Sequence, residues 1–258
     1  MCGIIGLARK GFSSEEALSM LKRLEYRGYD SFGVATDSGL FEKEIGEIKS
    51  IKSNTCSLAI AHTRWATHGG VTRENAHPHA DCSERIFVVH NGIINNYQEI
   101  RKSLSGHIFR SETDTEVIAH FFEEKLKTMD IKSAVSDFFR SVEGEFAIVM
   151  MIKGDKKLYA LKRGSPLSLG ILKDGNVLAS DIYAFSNKTE DAIFFNEDEF
   201  AVVSENEYEF YRFDGNLNPI SKEIVHIKWM QEEDEKKYEH YMIKEIYEEP
   251  AVVERLLN

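Results

Sequence analysis

Proline is scarce in this 258-residue chain, four in all, and no Gly/Ser-rich tract or repeat interrupts it. No flexible linker or internal domain boundary is therefore expected over most of its length. Cysteine is scarcer still. Cys2, Cys56 and Cys82 make an odd, low count that excludes a disulfide framework. No basic stretch followed by a short apolar region stands near residue 1, so no secretory signal is expected and the anticipated setting is the reducing cytoplasm. No apolar run approaches the roughly 20 residues needed to span a bilayer, and no membrane partner is expected. Positive charge is also short. Lys and Arg total 32 against 43 Asp and Glu, and a net charge of −11 lacks the basic footprint of a nucleic-acid binder. What remains, 42% hydrophobic and 29% charged, is ordinary globular composition with ample material for a core.

Residues 2 to 9 read as a buried strand, with a turn at Gly11 and Phe12. Ser13 and Glu16 have capping-box spacing, and Ala17, Leu18, Met20, Leu21 and Leu24 recur at helical period after them. Residues 31 to 43 read as two strands turning at Asp37-Ser38-Gly39. A strand over 58–62 leads into a long polar stretch, and another over 86–89 is expected to stop at His90-Asn91-Gly92. Asn95 or Asn96 caps a helix reaching about Leu104. Thr113 and Glu116 form a second capping-box spacing before Val117, Ile118, Phe121 and Phe122, and a helix near 131–140 follows. From Glu145 to about Phe213 short strands alternate with turns such as Gly154-Asp155 and Lys173-Asp174-Gly175. Residues 231–237 read as a solvated charged connection, and 240–257 as helical, with Pro250 breaking it or opening a last short helix. Helices and strands come in blocks, which predicts an α+β fold of largely antiparallel sheets covered by helices.

Four stretches carry more polar chemistry than their elements need. Met1-Cys2-Gly3-Ile4-Ile5-Gly6 places a thiol next to the initiator methionine. Removing Met1 would give one residue both a nucleophile and an α-amine base, with pKa values near about 8.5 and 8. The plainer reading of Cys2 is a small buried hydrophobe. Ala61-His62-Thr63-Arg64-Trp65-Ala66-Thr67-His68-Gly69 crowds a guanidinium at a strand exit, suited to two-point binding of a carboxylate or to a surface ion pair. Asn91-Gly92 is first a tight turn. A helix rather than a second strand follows it, so an amide NH2 beside a glycine N–H also fits an oxyanion hole. In Ser111-Glu112-Thr113-Asp114-Thr115-Glu116 capping and the helix dipole account for the acids, and the local sequence assigns Asp114 nothing further.

These stretches, with Leu24-Glu25-Tyr26-Arg27-Gly28-Tyr29-Asp30-Ser31, Asn75-Ala76-His77-Pro78-His79, Val89-His90-Asn91-Gly92-Ile93-Ile94, Arg163-Gly164-Ser165-Pro166-Leu167, Ala179-Ser180-Asp181 and His240-Tyr241-Met242-Ile243-Lys244-Glu245-Ile246, resemble the class II glutamine amidotransferases. Within them the chain is most similar to the glutaminase half of the glutamine–fructose-6-phosphate aminotransferases. The resemblance implies an N-terminal-nucleophile hydrolase fold, a four-layer αββα sandwich. It implies Cys2 as nucleophile with its own α-amine as base, Asn91 and Gly92 as oxyanion hole, and Arg27 organising the site. It further implies that Arg64 binds the α-carboxylate of L-glutamine and Asp114 its α-ammonium, that Thr67 and His68 line the pocket, and that Trp65 belongs to a closing loop. No cofactor is implied.

The resembling enzymes carry a second, larger sugar-phosphate isomerase part. The division expected is a glutaminase domain over 1–240 and a helical segment over 241–258 that begins the link to such a domain or subunit. By itself the chain is then expected to hydrolyse glutamine without making the amino sugar. Phe32, where the family more often has alanine, adds bulk near the site. His77, His79, Asp81 and Cys82 have zinc-ligand chemistry but lack a second ligand pair, and no metal is expected there. Cys56 reads as an inert core thiol. Three alternatives stay open: a glutaminase serving another acceptor, an acylase for a different amide, and a non-catalytic subunit regulating an isomerase.

Overall fold

A computed structural model describes residues 2–66, 69–228 and 241–257. Chain order runs β1 (Gly3–Ser13), α1 (Ser14–Lys22), β2 (Ser31–Thr36), β3 (Phe41–Ile45), β4 (Thr55–Arg64), β5 (His79–Ala80), β6 (Ile86–Ile94), α2 (Tyr97–Ser103), α3 (Glu116–Lys125) and α4 (Ile131–Ser141). Then come β7 (Gly144–Ile152), β8 (Leu158–Arg163), β9 (Ser168–Leu172), β10 (Gly175–Ala179), β11 (Asp191–Phe194), β12 (Glu199–Val203), β13 (Tyr208–Phe213), β14 (Leu217–Ile220) and β15 (Val225–His226). These elements form one compact unit, Met1–Ile227. A second unit, Lys228–Asn258, contains α5 (Tyr241–Leu257), in which Pro250 sits inside the helix rather than ending it. The charged run over 231–237 and His240 lie outside the described residues.

Alternation along the central strands builds the layers, because successive side chains of a strand point to opposite faces. In β1, Ile4 and Ala8 face one cluster while Ile5 and Leu7 face another. In β4, Leu58 and Ile60 part from Ala59 and Ala61 in the same way. In β6, Phe87 and Val89 join Ile4 and Leu58 between the sheets, whereas Ile86 and Val88 pack outward with Phe121, Phe122 and Phe138. The first sheet has the order β15-β11-β9-β10-β1-β4-β2-β3 and carries α1 on its outer face. The second, β14-β13-β12-β8-β7-β6-β5, carries α3 and α4. Every strand pairing is antiparallel, so the αββα order implied by the resemblance is the one observed.

Several boundaries differ from the sequence expectation, each for a physical reason. β1 does not turn at Gly11. It shifts register between Ala8 and Phe12, with Gly11 at φ +66°, and runs on to Ser13. Ser13 does cap α1 by accepting from the Glu15 amide. Glu16, expected to close the box, instead forms a two-point ion pair with Arg9. β6 does not stop at His90 but continues through Gly92 and Ile94, paired along its length with β7. Thr113 does not cap α3. Glu116 reaches back to accept from the amides of Arg110 and Ser111 and the Ser111 hydroxyl, folding that segment around one carboxylate. Phe32 is a core residue beneath α1, and Cys56 is buried with its thiol pushed up to about 12 by desolvation and by Asp37.

The outer core of the second sheet is aromatic, with Phe122 and Phe138 stacked at 5.3 Å and Phe138 edge-on to Phe146. Phe138→Ala should cost about 3–5 kcal/mol in urea unfolding, while Ile224→Ala at an exposed position should stay within about 0.5 kcal/mol. Equal effects would mean that this layer is not a packed core.

Candidate active site

Cys2 immediately precedes the central strand of the first sheet, and β1 directs it toward the ends of β4 and β6. The Trp65 amide donates to Cys2 Sγ at 3.3 Å. The Cys2 carbonyl accepts from Arg27 Nε at 3.1 Å and from Asn91 Nδ2 at 2.9 Å, so a group from each sheet's side grips the same peptide. Arg27 is held in turn by Asp181, 3.0 Å from Nη1, and the Tyr26 hydroxyl donates to the same carboxylate oxygen at 2.7 Å. Burial and then Asp181 push Tyr26 up to about 12, so it remains a phenol donor. At the other end of Gly3, the Ile4 amide donates to Ser180 Oγ.

Asn91 has a fixed amide orientation. His62 Nε2 lies 3.1 Å from Asn91 Oδ1 and 3.2 Å from the His90 carbonyl oxygen. Both are acceptors, so His62 carries its proton on Nε2 and the Asn91 NH2 faces Cys2. One amide hydrogen goes to the Cys2 carbonyl. Gly92 follows at φ +129°, where an added Cβ would meet the Glu145 carbonyl oxygen at 1.9 Å. Only glycine fits there.

The Arg64 loop folds over this centre. Gly28 passes so close to residues 64 and 65 that a Cβ on it would lie 2.7 Å from the Trp65 nitrogen. Asp30 accepts from the Ala66 amide at 2.8 Å, and its own amide donates to the Arg64 carbonyl. Arg64 Nη1 donates to the Gly70 carbonyl at 3.1 Å, and Asn75 bridges that carbonyl to Glu112. Burial disfavours the Arg64 charge, while Cys2, Asp30 and Asp114 support it. A desolvated guanidinium beside a thiol can bind a carboxylate tightly. Asp114 does not cap a helix. Its carboxylate accepts from the Ile94 amide at 2.8 Å, fastening it to the end of β6. Trp65 is partly exposed and packs edge-on against Tyr29 at 5.8 Å. Burial raises the Cys2 thiol above its ordinary value, opposed by the Trp65 amide and by Arg64 and Arg27, so a base is needed to make the thiolate.

The fold thus brings Cys2, Arg27, Arg64, Trp65, Asn91, Gly92 and Asp114 around one centre. Met1, Thr67 and His68 lie outside the described residues. Asp30, His62 and Asp181 support it but were not singled out from the sequence. Only their place inside the quoted motifs marked them. His77, His79, Asp81 and Cys82 do not converge. His77 stacks on His62 at 4.0 Å, His79 meets Thr113, and Asp81 accepts from the amides of Arg85 and Ile86.

His62, His77, His79 and His90 are all buried, and burial holds each below its ordinary value of 6.5, His62 at about 3. They are neutral in the fold but take up protons once unfolded. The stability these neutral rings contribute is therefore fully present above about pH 6.5 and is lost as pH falls below it, by up to about 1.4 kcal/mol per pH unit for His62 down to about pH 3, with the other three adding in the same direction. Urea unfolding between pH 7 and pH 4.5 should show a slope of more than one proton, reduced by about one in His62→Gln. A flat profile would mean that these rings are charged or exposed.

A profile of the glutamine amidotransferase domain matches residues 1–241. Glutamine–fructose-6-phosphate aminotransferase (isomerizing) from Pyrococcus horikoshii is 43% identical over 268 residues, covering 98% of this chain and 44% of the relative. The protein of the same name from Sulfurisphaera tokodaii is 42% identical over 274 residues, covering all of this chain and 46% of that one. The chain thus spans about half the length of the curated relatives it matches. Glutamine phosphoribosylpyrophosphate amidotransferase from B. subtilis, solved with ADP and GMP, shares the fold at a TM-score of 0.71 and 24% identity, over 84% of this chain and 50% of that one. An N-terminal-nucleophile architecture, and relatives that match the chain from end to end, place it in the class II glutamine amidotransferase family of enzymes.

Proposed function

We propose that this chain hydrolyses L-glutamine to glutamate and ammonia at Cys2, and that the ammonia is destined for fructose 6-phosphate on a sugar-phosphate isomerase domain or subunit. The observation that carries the reading is the Cys2 peptide gripped by Arg27 and Asn91, with its thiol held by the amide of Trp65 next to Arg64 at the end of β4. Arg64 and Asp114 supply opposite charges for the α-carboxylate and α-ammonium of a free amino acid, a pairing that an acylase for apolar substrates does not need. Thr67 and His68 complete this reading as pocket residues and Trp65 as part of the cover.

With Met1 removed, the Cys2 α-amine takes the thiol proton and Sγ attacks the carboxamide carbon. The Asn91 amide and the Gly92 N–H stabilise the oxyanion. The C–N bond breaks as the ammonium returns its proton to the leaving nitrogen, and ammonia departs from a γ-glutamyl thioester. Water, deprotonated by the same amine, then attacks the thioester, and glutamate and the thiol are released. A cover over the site keeps ammonia from bulk water and from protonation. The acceptor half of the reaction rests on the names of the relatives, and the segment over 241–258 is its proposed link. No helix among the described residues is long and apolar enough to cross a membrane, and a cytoplasmic setting is part of this proposal.

A glutamine-mimicking diazoketone should add once, to Cys2 of the chain lacking Met1, and glutamine should block it. Intact mass would read both events. Chain that keeps Met1, or Cys2→Ala, should release no ammonia. Arg64→Ala should raise KM by roughly 10²-fold or more with a smaller change in kcat. Asn91→Ala should lower kcat by about 10²–10³-fold with KM nearly unchanged. Equal losses in both parameters for both variants would overturn the assigned roles.

A further inference from the structure

On the far side of α3 from the second sheet's core, four side chains of three segments converge on one point. Cys82 lies in the loop between β5 and β6, His107 in the loop after α2, and His120 and Glu123 one turn apart on α3. One donor atom from each lies within 4.8 Å of all the others. Cys82 Sγ is 3.7 Å from His107 Nδ1 and 3.6 Å from His120 Nδ1. Glu123 Oε2 is 2.9 Å from His107 Nδ1 and 3.1 Å from His120 Nδ1. A tetrahedral zinc with bonds of about 2.3 Å to sulfur and 2.0–2.1 Å to nitrogen or oxygen has S···N edges of about 3.6 Å and N···O edges of about 3.3 Å. The two sulfur–nitrogen edges already have that length, the two nitrogen–oxygen edges need to open by only a few tenths of an ångström, and the remaining two edges are within 4.8 Å.

The surroundings of the imidazoles point the same way. The ring nitrogens turned away from the cluster face carboxylates: His107 Nε2 lies 3.2 Å from Glu124 Oε2, and His120 Nε2 lies 3.7 Å from Glu116 Oε1. His120 is 1% exposed, and its Nε2 has no hydrogen-bond partner. Without an ion both inner nitrogens donate to Glu123. An ion would displace those protons, and the carboxylates behind the outer nitrogens would then hold the ring protons outside, as in carboxylate–histidine–metal arrangements. A thiolate and a carboxylate would neutralise a divalent ion, and one thiolate with two imidazoles selects zinc over magnesium or calcium. Cys82 is exposed, which opens a route from solvent.

We infer that Cys82, His107, His120 and Glu123 form a structural zinc site. Four protein donors fill the tetrahedron and leave no position for a reacting water. Loading replaces the S–H bond with Zn–S and releases that proton to solvent, along with any on the inner nitrogens. The ion would brace the segment that carries Asp114, because His120 faces Glu116, and Glu116 accepts from the amides of Arg110 and Ser111. No residue of the set belongs to the glutamine site, so the site stands or falls separately from the hydrolase reading.

The test is a zinc titration of the chelator-treated chain against a chromophoric competitor, with cobalt as a spectroscopic substitute. One equivalent should bind, Cys2→Ala should leave that stoichiometry intact, and zinc should raise the Tm. Cys82→Ser and His107→Gln should each weaken binding at least 100-fold. Cobalt should give a thiolate charge-transfer band that Cys82→Ser abolishes. Glu124→Gln should weaken binding about 10-fold. No equivalent bound by the folded chain, or one equivalent retained by Cys82→Ser with its cobalt spectrum unchanged, would overturn the site and leave a hydrogen-bonded cluster.

Discussion

The carbonyl of Cys2 is the point on which the candidate active site depends. Arg27 reaches it from the turn after α1, and Asn91 reaches it from the second sheet. Those two bonds fix a residue just before β1, where a chain would otherwise be frayed. They hold because β1 is buried on both faces between β4 and β10, so its register cannot slip without moving Ile4, Ile5, Leu7 and Ala8 into the wrong layers. Packing of the sandwich thereby sets the position of a thiol at its rim.

Polar groups beneath the thiol work because they are dry. His62 is neutral at working pH through burial, and a neutral ring with its proton on Nε2 can orient the Asn91 amide without adding charge to the site. His77 stacks on it, and His90 bonds Thr115 on the approach to α3. The same burial raises the Cys2 thiol, so its ionisation is left to a local base and to the fields of Arg64 and Arg27. Preorganised donors around an un-ionised thiol suit the proposed site, which develops charge only when substrate arrives.

The opposite charges proposed to hold the substrate come from opposite sides of the site. Arg64 closes β4 of the first sheet, whereas Asp114 is fastened to Ile94 at the end of β6 of the second. Glu116 gathers the chain just before α3, so the position of Asp114 depends on that helix and on the loops packed against it. A metal brace at the outer face of α3 would act on that same segment.

The thiol beside Met1, the Arg64 loop and the Asn91-Gly92 pair were legible because each is a short run of chemistry-bearing residues in one stretch of sequence. Antiparallel sheets covered by helices were legible in the blocks of strands and helices, while the αββα order came with the family resemblance. Local rules failed where a distant partner competed for the same group. Glu16 left its capping box for Arg9, Glu116 left Thr113 for Arg110 and Ser111, and β6 ran past Asn91-Gly92 because β7 pairs with it along its whole length. His62, Asp30 and Asp181 act through hydrogen bonds to partners 28 to 155 positions away, made only when strands from separate parts of the chain lie side by side. The sequence alone determined which residue types were available and the alternation that buries them. Tertiary structure decided which of them meet, because the pairing of strands remote in sequence sets Asn91 against Cys2 and brings Cys82 to His107, His120 and Glu123.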